Sequence, residues 1–332
     1  MKQASKKNKG QENPKIVVFG GGTGIFNLLR GLKRYTNNIV AIVTMMDSGG
    51  SSGRLRDEFG HLPPGDLRQA LVALSPDDRS SLTLRQLFNH RFSKGQGLEG
   101  HSFGNLFLTA LAEITGGTDK AITEAGKILA IRGKAYPVTL TNSNLVARLE
   151  DGTEIIGETN IDVRTEKPGV KIDYVYLDPK AYAYPEVLRE IETADVIVLG
   201  PGDLYTSVIP NLLVEGIAES INYSRAKKVY ICNLMTKHGE SDSFAASDFV
   251  REIRTYLENG KLDYVVLNKG DLPEKLVRRY EGEKAYPVEA DTEKVKKLAK
   301  QVIAKPFATA GTLLRHDAGK IARVIIDIAG RN

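Results

Sequence analysis

The junction at residues 15–24, where KIVVF runs directly into GGGTG, constrains this chain more than any other feature. An apolar run ending in glycines suits a strand buried on both faces, as in a parallel sheet. Ile25, Leu28, Leu29 and Leu32 follow at helical spacing, and residues 39–46 (IVAIVTMM) read as a second strand. Strand, glycine turn, helix and strand make a βαβ unit of about thirty residues, the opening of a doubly wound α/β fold. Glycines let the backbone turn tightly and approach a ligand, while the free N–H groups at a helix start attract anions. Gly21, Gly22, Thr23 and Gly24 are therefore candidate binding residues for a phosphate or pyrophosphate. The run departs from the dinucleotide fingerprint G-x-G-x-x-G, because Ile25 stands at the third glycine, and it lacks the lysine of a P-loop. The alternative, that the glycines only shape the turn, stays open.

With 332 residues the chain has room for two domains or one elaborated α/β unit. The expected division is a basic tail over 1–14, disordered for want of apolar residues, and one Rossmann-like nucleotide-binding domain over 15–330. Lys2, Lys6, Lys7, Lys9 and Lys15 against Glu12 place nearly all of the +5 net charge in or beside that tail. A nucleic-acid binder concentrates its charge on a folded face, so no nucleic-acid partner is expected. No apolar run approaches the roughly 18 residues of a membrane helix, and the N-terminal lysines lead into no apolar stretch. The single cysteine, Cys232, cannot close an internal disulfide. These features predict a cytoplasmic protein with no membrane insertion.

From about 60 to 133 the pattern turns helical, which predicts an inserted helical subdomain. Leu67, Ala70, Leu71 and Leu74 mark one helix, Leu84, Leu87 and Phe88 a second, and Phe107, Ala110, Leu111 and Ile114 a third. Ala121, Ile122, Ala125, Ile128 and Leu129 mark a fourth. Residues 137–177 read as an antiparallel β segment, with Asp151-Gly152 a hairpin turn. Buried-strand runs return at 195–199, 228–232 and 264–267, with a helix through NLLVEGIAESI after the first. A closing helix starts at Asp317 and turns Ile321, Val324, Ile325 and Ile328 inward. The fold class is α/β: a doubly wound, mostly parallel sheet with these two insertions.

Further candidate site residues fall at strand ends, where open α/β sheets bind ligands. Asp47 ends the second strand, where such folds place a ribose-binding carboxylate; it is the one candidate for catalysis or for Mg2+ held with a nucleotide. The loop after it, SGGSSGRLR, offers Ser51, Ser52 and Arg54, the arginine as a phosphate partner. Gly200, Gly202, Asp203, Tyr205 and Ser207 repeat the strand–glycine–helix arrangement, and Asn233 and Asn268 end two later strands. GHSFG matches the spacing of a nucleophile elbow but follows no strand, so Ser102 and Asn105 are capping or ligand-contacting groups. The five histidines show no metal spacing, and His316 reads as a surface or capping residue. Cys232 reads as core. No cofactor or metal is certain from these residues.

Six motifs in order, KIVVFGGGTG, MMDSGGSSGRLR, HLPPGDLRQAL, GHSFGNL, GPGDLYTS and NLMTKHGESD, resemble the YvcK or gluconeogenesis factor family. The resemblance spans residues 14 to 330. That family is similar in fold to the CofD phospholactate transferases, Rossmann-like enzymes that work on a nucleotide substrate with Mg2+. The resemblance implies a regulatory protein required for cell shape on gluconeogenic carbon sources, binding UDP-N-acetylglucosamine. Protein partners in cell-wall synthesis fit that role, while the identity of the partner and a homo-oligomer stay open at this point. The transferases carry adjacent aspartates after the second strand, whereas this chain reads Met46-Asp47-Ser48 with a single carboxylate. That departure implies a binding protein first, and a CofD-like Mg2+-dependent phospho-group transferase as the alternative.

Overall fold

The computed structural model describes residues 13–331 apart from 166 and 168. The expected tail lies outside the described residues, except Asn13 and Pro14, which receive hydrogen bonds from Thr36 Oγ1. The chain opens as expected. Strand β1 (Ile16–Gly20), helix α1 (Gly22–Leu32) and strand β2 (Ile39–Val43) form the βαβ unit, and both strands are buried at every position. Burial on both faces is what their unbroken apolar sequence requires.

The segment after β2 is a correction. Ser48–Arg56 is not a loop: Gly50–Phe59 is a helix, α2, with Gly49 as its N-cap. Gly53 is needed for packing, since a β-carbon there would overlap the Ser48 backbone. Helices α3 (Gly65–Leu74), α4 (Arg79–Asn89), α5 (Phe103–Thr115) and α6 (Thr118–Ile128) complete the helical insertion. Of the four residues that mark α5 in the sequence, Phe107 and Leu111 pack against the core, whereas Ala110 is exposed and Ile114 is 81% exposed; Asn105, Leu108, Thr109 and Ala112 are buried. Asn105 hydrogen-bonds Ser51, Ser52 and Arg68, which rotates the small, polar face inward. Ile128 and Leu87 are likewise about half exposed.

Strand β3 (Lys134–Pro137) joins the edge of the main sheet, and β4 (Asn144–Leu149) pairs antiparallel with β5 (Glu154–Ile156) around the expected Asp151-Gly152 turn. Helix α7 (Glu158–Asp162) follows, and β6 (Ile172–Asp178) completes this three-stranded sheet. After α8 (Pro185–Glu192) the main sheet resumes with β7 (Val196–Leu199). The expected helix through 211–221 is broken. A π-helical turn (Leu204–Val208) leads into α9 (Ile209–Leu212), and the chain turns at Gly216 before α10 (Ile217–Tyr223).

Strand β8 (Lys227–Ile231), α11 (Ala246–Tyr256), β9 (Leu262–Asn268), α12 (Glu274–Gly282) and α13 (Thr292–Val295) follow. Three strands the sequence reading missed come next: β10 (Ala299–Lys305), which is half polar, and the short pair β11 (Ala308–Ala310) and β12 (Leu314–His316). Helix α14 (Ala318–Ala329) closes the chain, with Asp317 accepting the Lys320 N–H as its N-cap.

The seven main strands lie in the order β10-β9-β8-β7-β1-β2-β3, all parallel, with helices on both faces. From β1 the chain runs outward through β2 and β3; from β7 it runs outward the other way. The topological switch point therefore falls between β1 and β7, where such sheets place their ligand crevice.

Candidate functional site

The crevice at the carboxyl ends of β1 and β7 is a cavity of about 780 Å3. Two glycine turns meet over it. Gly24, in the first turn of α1, packs against the backbone of Pro201, where a β-carbon would stand 2.8 Å from the carbonyl carbon and overlap the oxygen. Gly22 holds φ +61, a left-handed conformation that favours glycine. Residues 22 to 24 thus start the helix rather than precede it, leaving first-turn N–H groups at the cavity.

An acidic cluster lies beneath the first turn. Asp47 Oδ1 accepts the Gly49 N–H at 2.9 Å, and its other oxygen lies against Gly65, where a β-carbon would come within 2.6 Å. The next residue, Asp66, accepts the Gly22 N–H and sits against Gly21 at a would-be β-carbon distance of 2.5 Å. Burial, then the charge of Asp47, pushes Asp66 up to about 7. Glu158, from the start of α7, is pushed up to about 7 by burial and again by Asp47. The expectation of a single carboxylate is therefore corrected. Asp47 has two acidic neighbours, which come from elements far away in sequence.

On the far wall, Lys237 binds Asp162, Asp203 Oδ2 at 2.7 Å and Glu240 Oε1 at 3.4 Å. Glu240 also accepts the Tyr205 N–H and the Thr206 hydroxyl, both at 3.2 Å, so it fastens the second glycine turn to the loop after β8. Burial raises Glu240, and Lys237 pulls it back. Burial and the Glu240 charge raise Asp203 as well. Asp162, Asp203 and Glu240 have the spacing of a metal-ligand set, but the Lys237 ammonium already bridges them.

Cations complete the lining with Arg164 and Arg315. Arg164 is only 7% exposed, and its Nε and Nη1 lack hydrogen-bond partners among the described residues, as do Thr44 Oγ1 and Asn233 Oδ1. Unpaired polar groups in a cavity wall are groups a ligand or water satisfies. His316 is corrected as well: it lines the cavity with Nε2 3.1 Å from the Cys232 carbonyl oxygen, and burial lowers it to about 4. It is neutral at pH 7. Cys232 is core, 1% exposed.

Of the residues singled out in the sequence, Gly21, Gly22, Thr23, Gly24, Asp47, Gly202, Asp203, Ser207 and Asn233 line this cavity. Gly200 and Tyr205 sit behind it. Tyr205 is buried, with its N–H on Glu240, and Gly200 turns the chain at φ +77. Ser51, Ser52, Ser102 and Asn105 meet in a buried network outside the lining, in which Ser102 caps α5 and Ser51 Oγ lies 3.1 Å from His101 Nδ1. That network fixes α2 on α5 and so positions Asp47 from behind. Arg54 donates to the Glu99 carbonyl, and Asn268 Oδ1 accepts the N–H groups of Phe307 and Ala308. Missed were Asp66, Glu158, Arg164, Lys237, Glu240 and Arg315. Two of the quoted motifs, HLPPGDLRQAL and NLMTKHGESD, contained Asp66, Lys237 and Glu240.

Comparison with known proteins agrees with this architecture. The 2-phospho-L-lactate transferase CofD family matches residues 16–308. The gluconeogenesis factor of Bacillus subtilis is 44% identical over 319 residues, covering 96% of this chain and 98% of the relative. That of Halalkalibacterium halodurans is 46% identical over 314 residues, covering 94% and 95%. A crystal structure of a Bacillus halodurans protein superposes with a TM-score of 0.90 at 46% identity, covering 95% of this chain and all of that one.

Proposed function

The chain belongs to the CofD family, with the gluconeogenesis factors among its relatives, and from that membership we propose that it is a nucleotide-sugar-binding regulatory protein. The ligand is of the UDP-N-acetylglucosamine class. The role is control of cell shape during growth on gluconeogenic carbon sources, through protein partners in cell-wall synthesis. One observation carries this reading: both glycine turns converge on one cavity at the topological switch point. The cavity volume falls within the roughly 300–1,000 Å3 of small-ligand sites.

In this reading the first turn of α1 takes the pyrophosphate on its backbone N–H groups. Gly202 and Ser207 border the same space from the second turn and meet the sugar. Asn233 and Thr44 offer their unpaired oxygens to hydroxyl or amide donors. Arg164 and Arg315 offset the acidic wall. A ligand that binds only the folded chain stabilises it by about 2.7 kcal/mol at a hundredfold excess over Kd. The test is a melting curve. UDP-N-acetylglucosamine should raise Tm by several degrees and UDP by less; equal shifts would defeat sugar recognition.

A second reading, phospho-group transfer, is favoured by one finding, the pair Asp66 and Glu158 beside Asp47. Mg2+ is commonly held by one or two carboxylates together with a ligand's phosphates, and beside the first glycine turn Asp47 would supply the carboxylate. Bound there, Mg2+ would supply Lewis-acid polarisation of a phosphoryl oxygen. Pushed up to about 7 by burial and by the charge of Asp47, the Asp66 carboxyl can take up or release a proton near neutral pH. Consumption of the nucleotide sugar, read by chromatography, separates this reading from simple binding.

A further inference from the structure

A second cavity, of about 580 Å3, is formed where the loop after α1 meets the end of β10 and the start of α14. Its lining shares no residue with the first. Four exposed cations, Arg34, Lys305, Lys320 and Arg323, ring it, against the carboxylates of Asp317 and Asp327. Asp317 is already committed, since its Oδ1 accepts the Lys320 N–H at 3.0 Å as the cap of α14. Lys320 Nζ is pinned on the Pro306 carbonyl at 3.0 Å. Among the described residues Arg34, Lys305 and Arg323 make no ion pair.

We propose that this cavity is a second binding site, for a phosphorylated small molecule. Like charges crowded round a concavity repel one another unless an anion lies between them. Two of the four are arginines, whose planar forks match phosphate oxygens. The opening also carries the positive end of a twelve-residue helix, α14. Tyr35 at the rim is 43% exposed and offers a ring face for an organic portion, over a floor that includes buried Phe307. The concave shape and volume suit a small ligand rather than a protein surface, which docks on flatter patches. The site differs in charge from the first cavity, whose wall holds six carboxylates. It also lies close along the chain, because Asp317 of this lining follows His316 of the other. The proposal does not depend on the identity of the ligand in the first cavity.

Calorimetric titration with inorganic pyrophosphate in Mg2+-free buffer tests it. The full chain is compared with the double variant Arg34→Glu/Arg323→Glu and with Lys94→Glu/Lys120→Glu, an equal charge reversal on the helical insertion. The expected result is a saturable binding phase in the parent chain that the first pair weakens at least tenfold and the second leaves unchanged, separate from any binding at the glycine turns. A melting curve checks folding, and Arg34→Gln/Arg323→Gln replaces the glutamate pair should it fail to fold. Binding unaltered by the groove variants would place the ion at the glycine turns and overturn the proposal. Equal losses from both charge reversals, or no binding by the parent chain, would overturn it too.

Discussion

Gly24 lies so close beneath Pro201 that a β-carbon there would overlap the proline's carbonyl oxygen and reach within 3.1 Å of Gly202 Cα. The two glycine turns thus touch as backbone on backbone, which no other residue type permits. Gly24→Ala must push them apart, at a cost on the order of 2–4 kcal/mol. At Gly22 the nearest atom to a new β-carbon is Ser207 Oγ at 4.0 Å, so Gly22→Ala meets only the backbone strain of φ +61, about 1 kcal/mol. Denaturant melts of the two variants should differ by that margin. Equal stability would mean that the turns are not held in contact.

Asp66 should make the fold sensitive to pH. Its folded value, about 7, is raised above the ordinary 3.8, so its stabilising contribution is complete below about pH 4. That contribution is lost as pH rises towards 7, and above that the carboxylate carries a constant cost. Asp66→Asn keeps an acceptor for the Gly22 N–H without the charge. It should therefore stabilise the chain at pH 8, by on the order of 1–2 kcal/mol, and by much less at pH 4. Thermal melts at the two pH values measure this. A destabilised variant at pH 8 would show that the charge is compensated in the native state.

Lys237 holds three carboxylates from three segments, and removing it leaves them facing one another. Lys237→Met should cost on the order of 1–3 kcal/mol, the range scaled down for a side chain in partial contact with solvent. Adding Asp203→Asn to that variant should recover part of the loss by removing one of the charges. A double-mutant cycle by chemical denaturation gives the coupling. Strictly additive losses would show that the cluster is not a unit.

Asn268→Ala should lower stability by roughly 1–2 kcal/mol, because two backbone N–H groups lose their acceptor. Ligand affinity should stay unchanged. A variant of normal stability and reduced affinity would return Asn268 to the binding residues.

Asn268 also shows where sequence reading reaches its limit. A polar residue at the end of a parallel strand is well placed for a ligand, yet here β11 begins against it. The strand itself was legible, because β1, β2, β7, β8 and β9 are buried on both faces and announce themselves as apolar runs. Edge strand β10 was not, since its lysines and glutamine face solvent. The segment holding Ser51 and Ser52 shows a different limit: glycine and serine suggest a loop, whereas here small residues let a helix, α2, pack against Ser48 and α5. The first glycine turn and Asp47 were legible because local order fixes them at strand ends. Asp66 and Lys237 lie inside the quoted motifs HLPPGDLRQAL and NLMTKHGESD, but their place at the cavity, like that of Glu158, comes only from tertiary contacts between separate segments.

Calorimetric titration of the full chain with UDP-N-acetylglucosamine in the presence of Mg2+, followed by chromatography of the same sample, reads nucleotide-sugar binding and turnover together. Saturable binding at the first cavity is expected, tighter than for UDP, with the nucleotide sugar recovered intact after long incubation. Absence of binding, or release of free UDP, would contradict this expectation.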